Sequence, residues 1–188
     1  MPTSSDPSPP KSWANTSARD LIHRRYFPDV MLTTHDGKRV RLFEDLIFDK
    51  IVVINFFYAT CEGICVPITA NLVKVQGLLR DRVGRDIFMY SFTLKPRLDS
   101  PAVLKEYAAR FQTGPGWSFV TGDPDDLELV RRRMGFVDPD PKRDADKLNH
   151  TGMVRYGNEP LQLWSACPGM SRPDSIAKSI LAVDFANR

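Results

Sequence analysis

Two cysteines, Cys61 and Cys65, stand four apart in the stretch YATCEGICVPITANLVK, residues 58–74. A thiol pair at this spacing has three uses: a structural staple, a redox couple, or a grip for a metal ion. Residues four apart on a helix share one face. Four residues of helix rise about 6 Å, within the Cα separation that a disulfide accepts. The sulfurs can therefore close on each other or offer two soft ligands to one ion. The staple is the weakest use, because so short a loop constrains the unfolded chain little. The bland alternative is two small apolar side chains packed in a core. Against it stands the position of the pair at a strand-to-helix turn, where such folds expose chemistry.

Two thiolates are too few for structural zinc, which takes four protein ligands. With one imidazole they suit copper, since thiolates favour Cu(I) and imidazole accepts either copper state. The chain has three histidines. His23 lies in a basic, exposed-looking stretch. His35 falls in a hairpin turn and reads as solvated. His150, in KLNHTGMV, precedes a predicted strand whose leading loop would lie beside the start of the cysteine helix. His150 is thus the histidine placed to meet both sulfurs. The third cysteine, Cys167 in SACPGMSRP, reads as a half-buried bystander in a late loop. Met153 reads as core, and Met170 as part of a loop.

The elements that position these residues follow from periodicity. DVMLTTHDGKRVRLF has two apolar-rich runs around Asp36-Gly37, a hairpin signal. FEDLI is a short turn or helix. KIVVINFFYA is nearly all apolar, as a strand buried on both faces requires. From Cys61 the stripe 61, 65, 68, 72, 75, 79 predicts a helix that starts at the first cysteine. That start puts Cys61 at a helix N-terminus, where a thiolate is favoured. DIFMYSFTL is a second buried strand. Ser100-Pro101 and Asp123-Pro124 each pair an N-cap with a proline at the first helical position. WSFVTG is a short strand or loop, HTGMVRYGNEPLQLWSA two strands around Gly157-Asn158, and RPDSIAKSILAVDF a closing helix. Buried strands alternating with helices imply a parallel sheet covered on both faces. The expected fold is α/β: a thioredoxin-like α/β/α sandwich with an N-terminal β-hairpin and an inserted helix.

With 188 residues, one domain with a tail is expected. Residues 1–18, rich in Pro and Ser, read as a flexible tail, and residues 19–188 as the folded domain. Such a tail is typical after a removed export signal or membrane anchor. No apolar run reaches the length of a membrane helix. The net charge of +3 is mild, and the densest basic run, Arg131–Arg133, reads as a solvated helix face rather than a nucleic-acid surface.

NFFYATCEGICVPITANLVKVQGLL, FTLKPRLDSPAVLKEYAARF and NHTGMVRYG together resemble the Sco/SenC family. The resemblance runs from about Phe27 to the C-terminus. It implies a thioredoxin fold held at the outer face of an energy-transducing membrane. It implies copper bound by Cys61, Cys65 and His150, for building the dinuclear copper site of cytochrome c oxidase subunit II or the site of another client. It equally implies thiol–disulfide reduction of that site, with Cys61 attacking and Cys65 resolving. If the protein is an enzyme, that exchange is its reaction. A peroxide-reducing thiol protein on the same fold is disfavoured by the paired spacing. A periplasmic, membrane-tethered monomer is expected. The chain departs from the family pattern at four places. Glu62 and Val66 follow the cysteines where proline is usual. Lys95 stands where aspartate precedes a proline, and Asn149 where aspartate precedes the histidine.

Overall fold

Asp36-Gly37 turns the chain as its sequence requires, with Gly37 at a φ of 80°. On either side lie β1 (Met31–Thr34) and β2 (Arg39–Arg41), paired antiparallel. The computed structural model of the protein describes residues 18–146 and 152–184. The expected tail over residues 1–17 lies outside them, as do Asn149 and His150.

The sheet has seven strands in the order β2-β1-β5-β4-β3-β6-β7. Within it, β3 (Ile51–Phe57) is buried at every residue. It runs parallel to β4 (Ile87–Thr93), which runs parallel to β5 (Trp117–Gly122). The antiparallel ribbon β6 (Met153–Asn158) and β7 (Leu163–Pro168) closes one edge, and the hairpin closes the other through β1–β5 pairing. One face is covered by α2 (Cys65–Leu79), α3 (Pro101–Phe111) and α6 (Pro173–Ala182). The other is covered by a six-residue π-helix (Leu42–Ile47) and α4 (Pro124–Arg133). This is the expected three-layer sandwich, and the insertion between β4 and β6 brings β5 as well as helix. Ser100 and Asp123 cap α3 and α4 as read, accepting from the N–H groups of Val103 and Asp125.

Several expectations are corrected. A helix, α1 (Ala18–Tyr26), precedes the hairpin. Its His23 is half-buried and stacks on Phe43 with ring centroids 3.4 Å apart. His35 is not solvated: only 15% of its side chain is exposed. Its Nδ1 accepts the Phe119 N–H at 3.1 Å, so the turn histidine serves as backbone acceptor for β5. A short helix, α5 (Pro141–Ala145), interrupts the expected polar loop. Arg131 is buried between Glu128 and Asp144, while Arg132 and Arg133 are exposed. The turn between β6 and β7 falls at residues 159–162 and not at Gly157-Asn158, which remain in β6. A Cβ on Gly157 would stand 2.2 Å from the Trp164 indole, so this glycine serves close packing and not a turn.

Glu159 anchors α1 to that turn. It is 1% exposed, accepts from Arg19 Nε at 2.8 Å and from the Asp49 N–H at 2.9 Å, and meets Gln162. Burial pushes its carboxyl pKa up, but the bonds from Arg19 and Asp49 outweigh burial and the net direction is down. A depressed carboxyl stabilises the fold above its unfolded-state value, about 4.3. That stability is lost as pH falls through the lower folded value. Glu159→Gln is expected to cost about 1–2 kcal/mol at neutral pH. Denaturant unfolding should find the deficit shrinking toward acid. An equal deficit near neutrality and in acid would mean that the charge contributes nothing.

Candidate metal and redox centre

The chain leaves β3 at Tyr58 and enters α2 at Cys65, so the helix starts one turn later than the cysteine stripe implies. Pro67 explains the delay. Its ring would clash with the Gly63 carbonyl, and its nitrogen cannot bond it, if the helix began at Cys61. In the first turn a missing N–H costs nothing. Cys65, Ile68, Leu72, Val75 and Leu79 form the buried stripe as read, and Cys61 sits in the loop before it. Both sulfurs are free thiols, 5% exposed at Cys61 and 1% at Cys65.

The loop still gives Cys61 the anion-favouring environment of a helix N-terminus. Burial works against its ionisation. Hydrogen bonds to its sulfur from the Cys65 thiol, the Cys65 N–H, the Tyr58 hydroxyl and the Gly63 N–H outweigh burial, and its pKa falls. Cys65 goes the other way, pushed up to about 12 by burial and by its bond to Cys61. The pair is thus split into one thiolate-forming sulfur and one that holds its proton. Burial also raises Cys167. Iodoacetamide at mildly alkaline pH is therefore expected to label Cys61 before Cys65 or Cys167. Peptide mass mapping checks the order, and first labelling at the half-buried Cys167 would contradict it.

Three further side chains, Tyr58, Lys95 and Asp99, brace the loop. Tyr58 is raised to about 12, first by burial and then by its bond to Cys61. Lys95 Nζ stands 3.9 Å from the centre of the Tyr58 ring. Asp99 is fully buried; its Oδ2 accepts the Ala59 N–H at 3.1 Å and the Thr93 hydroxyl. Among the departures from the family pattern, Glu62 and Val66 are exposed at the mouth of the loop. Cys167 lies within β7, opposite Val154, and not in a loop. Among the described residues, no group of three His, Cys, Asp or Glu side chains could hold a metal.

His150 lies outside the described residues, but the chain on either side of it stands at the site. Gly152, two residues on, packs on the entry to α2: an added Cβ would meet Ile64 Cδ1 at 2.9 Å and Ile68 Cδ1 at 3.3 Å. Asp146, on the other side, is near enough to Tyr58 to raise its pKa.

A buried dithiol at the β3–α2 junction of a three-layer sheet defines a thioredoxin-like thiol protein. Comparison narrows the class: residues 23–183 match the SCO1/SenC family model, and the chain belongs to that family. A SCO1 protein homolog from Bacillus subtilis is 33% identical over 88 residues, which is 46% of this chain and 44% of that protein. The matched stretch thus spans less than half the length of that relative. Arabidopsis thaliana ScoI, solved with copper bound, superposes with a TM-score of 0.66 at 17% identity, over 86% of this chain and 99% of that one. BsSco is described as having a disulfide switch and as one of the Sco family of cytochrome c oxidase assembly proteins. It superposes at 0.67 with 23% identity, over 82% and 90%. Both share the thioredoxin-like fold.

Proposed function

We propose that this protein is a copper metallochaperone of the Sco type, carrying one copper ion as cargo on Cys61, Cys65 and His150. The observation that supports it best is the sulfur pair itself. Two buried free thiols share a hydrogen bond at the head of α2, and the chain two residues beyond His150 packs on Ile64 and Ile68 beside them. Two thiolates and one imidazole form a soft set suited to Cu(I). The client would be a copper-receiving protein such as cytochrome c oxidase subunit II. Work at the outer face of a membrane, as a tethered periplasmic monomer, fits this role. Among the described residues no helix is long and apolar enough to cross a membrane.

The split acidity of the pair favours a second reading, thiol–disulfide exchange on a metalloprotein. The Cys61 thiolate would attack a partner disulfide and release one partner thiolate. Cys65 would then lose its proton and attack the Cys61 sulfur. The second partner thiolate leaves, the partner is reduced by two electrons, and a Cys61–Cys65 disulfide remains. Once Cys61 is bonded to the partner its charge is gone, and with it part of what holds the Cys65 proton.

Titration of the reduced protein with Cu(I) and with Cu(II), followed by absorption and native mass, separates the readings. One equivalent bound by the wild type and lost in Cys61→Ser is expected for the chaperone. A wild type that binds neither ion would leave the oxidoreductase.

A further inference from the structure

On the sheet face away from the cysteines lies a cavity of about 480 Å³, between α1, the end of α4 and the β6–β7 ribbon. Strand alternation puts it there. Val154 and Tyr156 point into the core that holds Cys61 and Cys65, so Arg155 between them points to the other face. Tyr26, Phe27, Met134 and Trp164 give the cavity apolar walls, and Arg133 and Arg155 bring two guanidinium groups to it. The volume is that of a small-molecule site.

Among the described residues, no carboxylate compensates the charge in this cavity. Arg155 donates from Nη2 to the Gly135 carbonyl at 2.8 Å and lies over the Phe136 ring, 5.4 Å from its centre. Arg133 donates only to the carbonyls of Arg24 and Arg25. Among the described residues, neither is ion-paired to a carboxylate, and no acidic side chain lines the cavity. A desolvated cation without a counter-ion is costly. Burial is what drives the Arg155 pKa down.

A second observation falls in the same place. Buried polar side-chain atoms are ordinarily hydrogen-bonded. Among the described residues four have no partner, and three of them belong to residues lining this cavity: Arg155 Nε, Gln162 Oε1 and Trp164 Nε1. Two of the three are N–H donors.

We propose that this cavity is a binding site for a small amphipathic organic anion, its acidic group on Arg155 and Arg133 and its apolar body against Phe27, Met134 and Trp164. Charge-assisted bonds from guanidinium to an oxyanion are the strong ones and supply orientation, while the aromatic walls take the body.

The probe is 8-anilinonaphthalene-1-sulfonate, a planar aryl sulfonate, with uncharged N-phenyl-1-naphthylamine beside it. Fluorescence titration of the reduced, folded protein at low salt is expected to find one saturable sulfonate site. Arg155→Met, confirmed folded by circular dichroism, should weaken sulfonate binding at least tenfold and leave the neutral dye within about twofold. Should that variant fail to fold, Arg133→Met carries the test. Arg133 is exposed and lines the cavity, and its loss should weaken the sulfonate and spare the neutral dye. Arg97→Met, at an exposed arginine elsewhere, should change neither. Sulfonate binding that survives undiminished in a folded Arg155→Met or Arg133→Met protein would overturn the proposal. So would an equal loss of both dyes in Arg155→Met, or a loss in Arg97→Met.

Discussion

Replacing His150 with alanine is expected to lower copper affinity by at least about a hundredfold while leaving reduction of a small disulfide intact. Loss of a supporting hydrogen bond to a metal ligand typically costs 10–100-fold, and loss of the ligand itself should exceed that. Exchange chemistry needs only the two sulfurs, so His150 divides the two readings of the site. The other histidines are engaged elsewhere. His23 stacks on Phe43, and His35 holds the Phe119 N–H. His23→Ala and His35→Ala should therefore keep copper affinity near wild type, whatever they cost in stability. Competition against a Cu(I) chelator of known affinity, with turnover of a small aromatic disulfide in parallel, measures both arms. Equal copper affinity in wild type and His150→Ala would remove the histidine from the ligand set. Equal loss in both arms would mean that the substitution disturbs the cysteine loop instead.

The parts of the fold written in local chemistry were legible in the sequence. The Asp36-Gly37 turn, the two Pro-led helix starts and the unbroken apolar run of β3 each depend on residues adjacent in the chain. What escaped depends on contacts made across the fold. Helix α1 has a weak apolar face and is held by Arg19 on Glu159, 140 residues away in sequence. Gly157 looked like a turn because glycine usually marks one, but it makes room for Trp164 across the ribbon. His35 looked solvated because the strand that uses it, β5, comes 84 residues later. The cysteines themselves were legible, and so was their shared place at the strand-to-helix junction. The apolar spacing hides the start of α2, because the stripe runs back to Cys61, past the point where Pro67 stops the helix. Asp99, which holds the loop at Ala59, lies 40 residues downstream and gives no local sign of that contact. Tyr58 was in view within the motif, but its bond to the Cys61 sulfur is a matter of loop geometry.

Oxidation of Cys61 and Cys65 to a disulfide is expected to abolish copper binding, and a reductant to restore it fully. A metal takes thiolates, and each disulfide formed consumes two of them. In the metallochaperone reading a fully oxidised protein keeps one donor of three, His150, and its uptake should fall from one equivalent to none. The hydrogen bonds that stabilise the Cys61 thiolate bear on how readily the disulfide is reduced. They favour the dithiol form, and stabilising the reduced form makes a disulfide more oxidising. Tyr58→Phe removes one of those bonds and should make the disulfide harder to reduce, shifting the equilibrium with glutathione toward the oxidised protein. Cys167→Ser provides the background for both measurements, since it leaves Cys61–Cys65 as the one intramolecular disulfide the chain can form. Native mass spectrometry after copper addition reads the bound metal, and thiol counting reads the redox state in the same sample. Undiminished uptake by protein with no free thiol would detach the copper from both cysteines. Uptake that tracks the free-thiol count through a redox titration would make the dithiol–disulfide couple a switch on cargo binding, uniting the two chemistries at one pair of sulfurs.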